Sequence, residues 1–166
     1  MLPVHLQKSA TIEDALKNLF QAEELVGENQ YNHDEYGKQN AKKFMRMKKP
    51  PPILQVNINR FGFGKDGSMR KINSRCDFGQ TLDFDKILEG SDSYQLSQRA
   101  HVEEKGRNFY HLHAILCHSG TLNSGHYFCY IKESQPGDTE NPYDDGSWVK
   151  YNDMSVSKVF KHIAFC

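Results

Sequence analysis

A glycine and a histidine stand directly before an aromatic run in CHSGTLNSGHYFCYIK, residues 117–132. Imidazole is the one side chain whose ordinary pKa lies near neutrality, which makes His126 a candidate for moving a proton. A proton carrier needs a group that aims its ring. SWVKYND at 147–153 supplies two, the carboxamide of Asn152 and the carboxylate of Asp153. If 126–132 and 147–152 form a hairpin around a loop at 133–146, pairing residue 132 with 146 sets His126 across from Asn152. Directly opposed Cβ atoms lie about 4.5–5.5 Å apart. An imidazole N–H donated to the Asn152 oxygen fixes the tautomer and leaves the other ring nitrogen as a base. These are two members of a nucleophile–His–Asn constellation. A histidine beside an asparagine across two strands also occurs without catalysis.

The third member is harder to find. Cys129 is three residues along the same strand from His126, about 10 Å away and on the opposite face, and reads as a packed core thiol. Cys117 falls opposite His126 if 109–118 pairs back onto 126–132, yet burial in mid-strand raises a thiol pKa, whereas reactive thiolates gain from a cation or a helix N-terminus. Cys76 and Cys166 have no discernible context. His111 and His113 form H-x-H, with His118 near, but the positions downstream are Thr121 and Ser124, so a carboxylate ligand is missing and no metal is expected. Alternating histidines of a half-buried strand are the simpler reading. The glycine- and serine-rich HSGTLNSG at 118–125 can move, or offer backbone N–H groups to an incoming chain, and Tyr127 can wall a groove beside it.

The elements that must position these groups follow from periodicity. Ile12, Ala15, Leu16, Leu19 and Phe20 recur at helical spacing, predicting a helix over 9–21 capped by Ser9 or Thr11. The polar stretch 28–43 predicts an exposed turn and a short helix. Three prolines at 50–52 force extended backbone into ILQVNINRF, 53–61, where Leu54, Val56 and Ile58 mark one buried face of a strand. GFGKDGS at 62–68 has loop composition. Residues 69–90 predict a short strand and an extended piece around Leu82 and Phe84, and 91–108 a surface loop or insertion. Strands are predicted at 109–118, 126–132, 147–152 and 160–165, with loop material at 133–146. No internal repeat or heptad is present. Helix early and antiparallel sheet late give an α+β class.

Composition narrows the possibilities. The chain has 166 residues, 37% apolar and 25% charged, enough for one domain with a real core. Lys and Arg number 21, as do Asp and Glu, with no long block of either sign, so neither nucleic acid nor an anionic membrane is indicated as a partner. The four cysteines are scattered without C-x-x-C, which fits thiols of a reducing compartment. The N-terminal residues contain no apolar signal-peptide core, and no run approaches membrane-spanning length. Cytoplasm or nucleus is the expected compartment.

Four motifs in order resemble the C-terminal half of the ubiquitin-specific protease catalytic domain. ENQY at 28–31 resembles the segment opening its fingers. PPPILQVNINRF at 50–61 is similar to its L-P-x-x-L-x-x-x-L-x-R-F strand. HLHAILCHSGTLNSGHYFCYIK resembles its histidine box, and WVKYNDMSVSKV at 148–159 its closing W-x-x-F-N-D-x-x-V element. The resemblance implies a papain-like cysteine peptidase with thumb, palm and fingers, hydrolysing bonds to the C-terminal glycine of ubiquitin. His126 then matches the general base, Asn152 the residue that orients it, and Asp153 the adjacent acidic support. The loops at 62–72 and 119–125, the latter with Ser124 and Gly125, match the two that gate the groove for the ubiquitin tail. Tyr127 matches an aromatic beside the tail's diglycine. Asn32 and Glu35 match a finger surface that touches ubiquitin.

Two departures matter. Nothing in residues 1–30 resembles the family's G-x-x-N-x-G-N-T-C cysteine box, so the expectation is a palm-and-fingers part, with about residues 1–50 the finger/palm helical part and 51–166 palm sheet, whose nucleophile lies on an upstream thumb of the same polypeptide. The alternative is a non-catalytic ubiquitin-binding or scaffold module that lacks the thumb. Where many members hold zinc with two C-x-x-C pairs, this chain has YNHDEYGKQNAKK, which resembles the zinc-free branch and implies no metal and no cofactor. The partners implied are ubiquitin and ubiquitinated proteins.

Overall fold

Thr11 opens α1 (Ile12–Phe20). Its backbone is extended, and its Oγ1 accepts the Asp14 amide at 3.1 Å, satisfying one of the donors a helix start leaves unpaired. Glu13 and Asp14 sit in the first turn, where negative charge suits the helix dipole. Ser9, the other candidate cap, instead accepts from Asn18 Nδ2 at 2.8 Å. The structure, a computed structural model, describes residues 1–6, 9–89, 108–133 and 148–159. The loops expected at 91–107 and 134–146, the strand at 160–165 and Cys166 lie outside the described residues. The chain divides into two units, Met1–Ile58 with Asp83–Tyr110, and Asn59–Leu82 with His111–Cys166.

In the first unit, β1 (Leu2–His5) pairs with β6 (Val56–Asn59), and the Leu2 amide donates to Gln55 O at 2.8 Å. The apolar face of α1 meets α2 (Phe84–Glu89), which follows β9 (Thr81–Asp83). Leu16, Phe20, Phe84, Ile87 and Val4 are fully buried. Each contributes about 1.5–3 kcal/mol of apolar burial. Phe20 meets Phe84 edge-on at 5.9 Å, and Phe84 meets Tyr110 edge-on at 5.8 Å. The extended piece expected around Leu82 and Phe84 is a strand at Leu82, in β9, and a helix from Phe84 onward. Six residues are too few for a period to show, and Asp83 Oδ1 accepting the Lys86 amide at 3.3 Å starts the turn. Asp85 holds Asn108 by both oxygens, at 2.8 and 2.9 Å. The Tyr110 hydroxyl donates to Pro51 O at 2.6 Å; burial, helped by the charge of Asp85, raises its pKa above the ordinary value.

The helix expected within 28–43 is absent; a one-turn 3₁₀ segment at Gly27–Asn29 leads instead into a hairpin of β3 (Tyr31–His33) and β4 (Gly37–Gln39). The turn is organised by His33, whose Nδ1 accepts the amides of Glu35 at 3.1 Å and Tyr36 at 3.4 Å, and by Gly37, whose φ of 67° suits a residue without Cβ. Flanking it, β2 (Glu23–Leu25) pairs with β5 (Ala41–Lys43), setting glutamates against lysines; Glu24 and Lys42 form an ion pair at 3.2 Å. Polar composition concealed β2 and β5 because two of their three cross-strand pairs set glutamate against lysine.

The second unit is built on an antiparallel meander of β11 (Ala114–Gly120), β12 (Gly125–Lys132), β13 (Trp148–Asn152) and β14 (Ser155–Val159), in that order. Tyr130, Trp148 and Val149 are buried in it. The single strand expected at 109–118 is two, β10 (Phe109–His111) and β11, interrupted at Leu112 and His113. Residues 61–71 are also more ordered than loop composition suggests, forming a hairpin of β7 (Phe61–Phe63) and β8 (Met69–Lys71). Arg60 fixes its base: the Ile72 amide donates to Arg60 O at 2.6 Å, and the guanidinium donates to Ile72 O at 3.1 Å and Ser74 O at 2.7 Å.

Candidate active site

His126 is the second residue of β12 and Asn152 the last of β13. The ladder between these strands pairs Lys132 with Trp148 and Cys129 with Tyr151. The register thus lies two residues away from the predicted pairing of 132 with 146. A one-residue slip would have sent the two side chains to opposite faces; a slip of two keeps them on one face. They become diagonal neighbours, a separation a ring and a carboxamide can span. His126 Nε2 donates to Asn152 Oδ1 in a direct hydrogen bond. This contact selects the tautomer with the proton on Nε2 and leaves Nδ1 as the acceptor. The His126 side chain is 47% exposed, so the pair forms part of an open rim.

Asp153 Oδ2 lies 3.7 Å from the same Nε2, and its carboxylate is 76% exposed. Solvent screens a pair of that kind, which makes it a weaker partner than Asn152. Asp153 opens the two-residue turn that joins β13 to β14, closed by Asn152 opposite Ser155. Its φ is 52°, in the left-handed region where Asp and Asn are better tolerated than other side chains.

The turn between β11 and β12 delivers His126. Gly120 pairs with Gly125, and Thr121 donates from its amide to Ser124 O at 2.7 Å and from its hydroxyl to the same oxygen at 3.2 Å. Gly120 has φ 121°, and a Cβ there would meet Ser124 O at 2.5 Å. Gly125 carries the ring of His118 against it, leaving 2.0 Å between His118 Nε2 and any Cβ added there. That ring also lies tilted against Tyr127, with centroids 4.6 Å apart, and Tyr127 is 60% exposed. Ser124, Gly125 and Tyr127 thus line the turn and the strand start beside His126.

This turn also fixes what faces His126. Ser119 is its partner across β11, and Cys117 pairs with Phe128. Cys117 is therefore not opposite the imidazole, because the Gly120–Gly125 closure moves the register two residues past the expected alignment. Cys129, an odd number of residues from His126 on one strand, projects to the other face. Cys76 is buried.

At the tip of the β7–β8 hairpin, Asp66 accepts from the Ser68 hydroxyl at 2.8 Å and the Ser68 amide at 3.2 Å, and pairs with Arg70. Chiefly the Ser68 hydroxyl, then its amide and Arg70, hold the Asp66 carboxyl below its ordinary value. Asn32 and Glu35 belong to the first unit, Asn32 opposite Lys38 in the β3–β4 ladder and Glu35 in its turn. Among the described residues no group of three or more His, Cys, Asp or Glu is arranged to hold a metal ion. No described helix is long and apolar enough to cross a membrane. Ser119 and Lys71 touch this region without any local signal in sequence; only the register and a contact 47 residues long reveal them.

Known proteins can be set beside this geometry. A family profile described as ubiquitin carboxyl-terminal hydrolase matches residues 5–164. Ubiquitin carboxyl-terminal hydrolase 15 of Saccharomyces cerevisiae is 29% identical over 167 residues, covering 99% of this chain and 13% of that protein. Ubiquitin C-terminal hydrolase 12 of Arabidopsis thaliana is 36% identical over 140 residues, 83% of this chain and 11% of the relative. The chain therefore spans about an eighth of the length of these relatives. The SAGA DUB module of Ubp8, Sgf11, Sus1 and Sgf73, solved bound to monoubiquitin, contains a chain of similar fold, with a TM-score of 0.70, 24% identity, and coverage of 96% of this chain and 31% of that one. A yeast SAGA DUB module with a mutant Sgf73 gives the same figures. The fold is that of the papain-like catalytic domain, α+β with mostly antiparallel sheet and few helices, and the chain belongs to the ubiquitin carboxyl-terminal hydrolase family, among the ubiquitin-specific proteases.

Proposed function

We propose that this chain forms part of a cysteine deubiquitinase and supplies the general base, His126, and its orienting partner, Asn152, to a cysteine nucleophile from outside these 166 residues. The observation that carries this reading is the hydrogen bond from His126 Nε2 to Asn152 Oδ1 on an open rim. With Nε2 occupied, Nδ1 takes the thiol proton. The thiolate attacks the carbonyl carbon of ubiquitin's last glycine, and the imidazolium protonates the leaving amine. Water then attacks the thioester with Nδ1 again accepting a proton, releasing the ubiquitin carboxylate and restoring the thiol. Asp153 adds negative charge beside the imidazolium of the intermediate steps.

On this reading the ubiquitin tail runs past Tyr127 and the turn of Ser124 and Gly125, between that turn and the β7–β8 hairpin. Two terminal glycines suit a groove walled by aromatic rings. Asn32 and Glu35 on the β3–β4 hairpin meet the body of ubiquitin. The test is steady-state hydrolysis of a fluorogenic ubiquitin C-terminal amide by the full-length protein that carries this sequence. His126→Ala is expected to abolish turnover and leave ubiquitin binding in place. Turnover retained by His126→Ala removes the assignment, and a wild-type protein that binds ubiquitin without hydrolysing the probe is instead a binding module.

A further inference from the structure

Lys71 ends β8, and its ammonium reaches across to a different part of the second unit. Nζ donates to His118 O at 3.0 Å and to Gly120 O at 2.9 Å. These two carbonyls flank Ser119, the residue opposite His126. They belong to β11, the outer strand of the four-stranded sheet, at the point where it enters the tight turn. An ammonium has three donors and no acceptor, so it can satisfy two neighbouring carbonyls of an outer strand at once. Lys71 is half-buried and held by two carbonyls, which ties its ammonium to one place on β11.

Both ends of this tie are fixed. On one side, Lys71 pairs with Phe61, and Arg60 clamps the next residue, Ile72, through two hydrogen bonds and Ser74 through a third. On the other, Gly120 opposes Gly125, and the Thr121–Ser124 bonds close the turn. His126 follows Gly125 directly. A displacement of the β11 end moves the start of β12, and with it the imidazole. The rest of the ladder does not oppose such a movement, because the β12–β13 pairing runs from Lys132 only as far as Cys129. The three residues before Cys129, His126 among them, have their backbone paired with β11 and meet β13 through side chains, His126 with Asn152 and Phe128 under the Lys150 ammonium.

We propose that Lys71 is a positioning residue of the His126 centre, tying the turn that delivers the imidazole to the base of the β7–β8 hairpin. Its catalytic meaning rests on the deubiquitinase reading above. The two loops flanking the proposed tail groove then move as one body instead of independently.

The full-length protein carrying Lys71→Met, Lys71→Arg, or Lys158→Met as a control on exposed β14 tests this. Two readouts separate the questions: amide hydrogen exchange over residues 118–126, and kcat and KM for a fluorogenic ubiquitin C-terminal amide. Lys71→Met keeps the apolar stem and removes the donors. It is expected to raise exchange over 118–126 and to lower kcat about tenfold with KM changed less than about threefold. Lys71→Arg, which keeps charge and donors, is expected to recover part of both, and Lys158→Met to match wild type. Unchanged exchange in Lys71→Met overturns the tie. Raised exchange with unchanged kcat overturns the positioning role. A wild-type protein without turnover defeats the hydrolase reading and the catalytic half of this one, while exchange still decides whether the tie exists.

Discussion

His126 and Asn152 share a hydrogen bond although the ladder between their strands sets them two residues out of step. The bond is therefore diagonal, made by side-chain reach and not by direct opposition. Such a contact is sensitive to the length of the partner. Asn152→Ala in the full-length protein is expected to lower kcat for a ubiquitin C-terminal amide by about tenfold to a hundredfold with little change in KM, because it frees the ring without removing the proton acceptor. His126→Ala should be far worse. Equal losses in the two variants would mean that Asn152 does more than aim the imidazole.

The turn before His126 gives a second, graded expectation. A Cβ at Gly120 would meet backbone at 2.5 Å and 2.6 Å, with φ at 121°. At Gly125 the nearest atom is the far end of His118, at 2.0 Å, with the Ser119 carbonyl at 2.7 Å. A side chain swings away more cheaply than backbone. Gly125→Ala is expected to cost about 1–3 kcal/mol, and Gly120→Ala more. Thermal unfolding of the second unit's signal measures both. The double variant His118→Ala with Gly125→Ala should recover part of the loss; no recovery would place the conflict at Ser119 instead.

The parts of this arrangement that sequence carries, and those it does not, divide along physical lines. The helix at Ile12–Phe20 is legible because nine residues hold a 3.6 period and a cap. For His126 and Asn152 the sequence carries the shared face but not the register, since a period of two cannot distinguish a shift of two, and the loop sequence at 134–147 carries no pattern. The β3–β4 hairpin was hidden by polar strands whose order comes from His33 and Gly37 in the turn. Phe84 reads as strand in isolation and becomes helical because Phe20 and Tyr110 pack against it. Lys71 reads as one more surface lysine; only folding brings it to carbonyls 47 and 49 residues away.

Asp66 supplies a pH expectation. Its carboxyl titrates below the ordinary 3.8, chiefly through the Ser68 hydroxyl. A carboxyl with a depressed folded-state pKa contributes in full above its unfolded value and loses that contribution as pH falls through the folded one. The order of the hairpin tip should therefore be unchanged from neutrality down to about pH 4 and fail only below that. Asp66→Asn mimics the protonated form. It is expected to raise hydrogen exchange of the Gly64 and Ser68 amides at pH 7 and leave β11–β14 unaltered. Unchanged exchange at the tip would show that the Gly64–Ser68 backbone bond at 2.7 Å holds it unaided.

The register of β11 makes the last expectation specific to one thiol. Cys117 pairs with Phe128, while Ser119 holds the place opposite His126. A nucleophile must bring its sulfur within hydrogen-bond reach of Nδ1, whereas Nε2 is the nitrogen turned toward Asn152. A strand ladder pins the backbone before and after Cys117, through Leu116 opposite Cys129 and His118 opposite Tyr127. Cys117→Ser in the full-length protein is therefore expected to retain turnover within about threefold. A ubiquitin bearing a C-terminal electrophile should label the wild-type protein on a cysteine outside residues 1–166, and peptide mapping identifies it. Labelling at Cys117, or turnover lost in Cys117→Ser with the fold intact, would move the nucleophile onto this chain and require β11 to shift by two residues against β12 during catalysis.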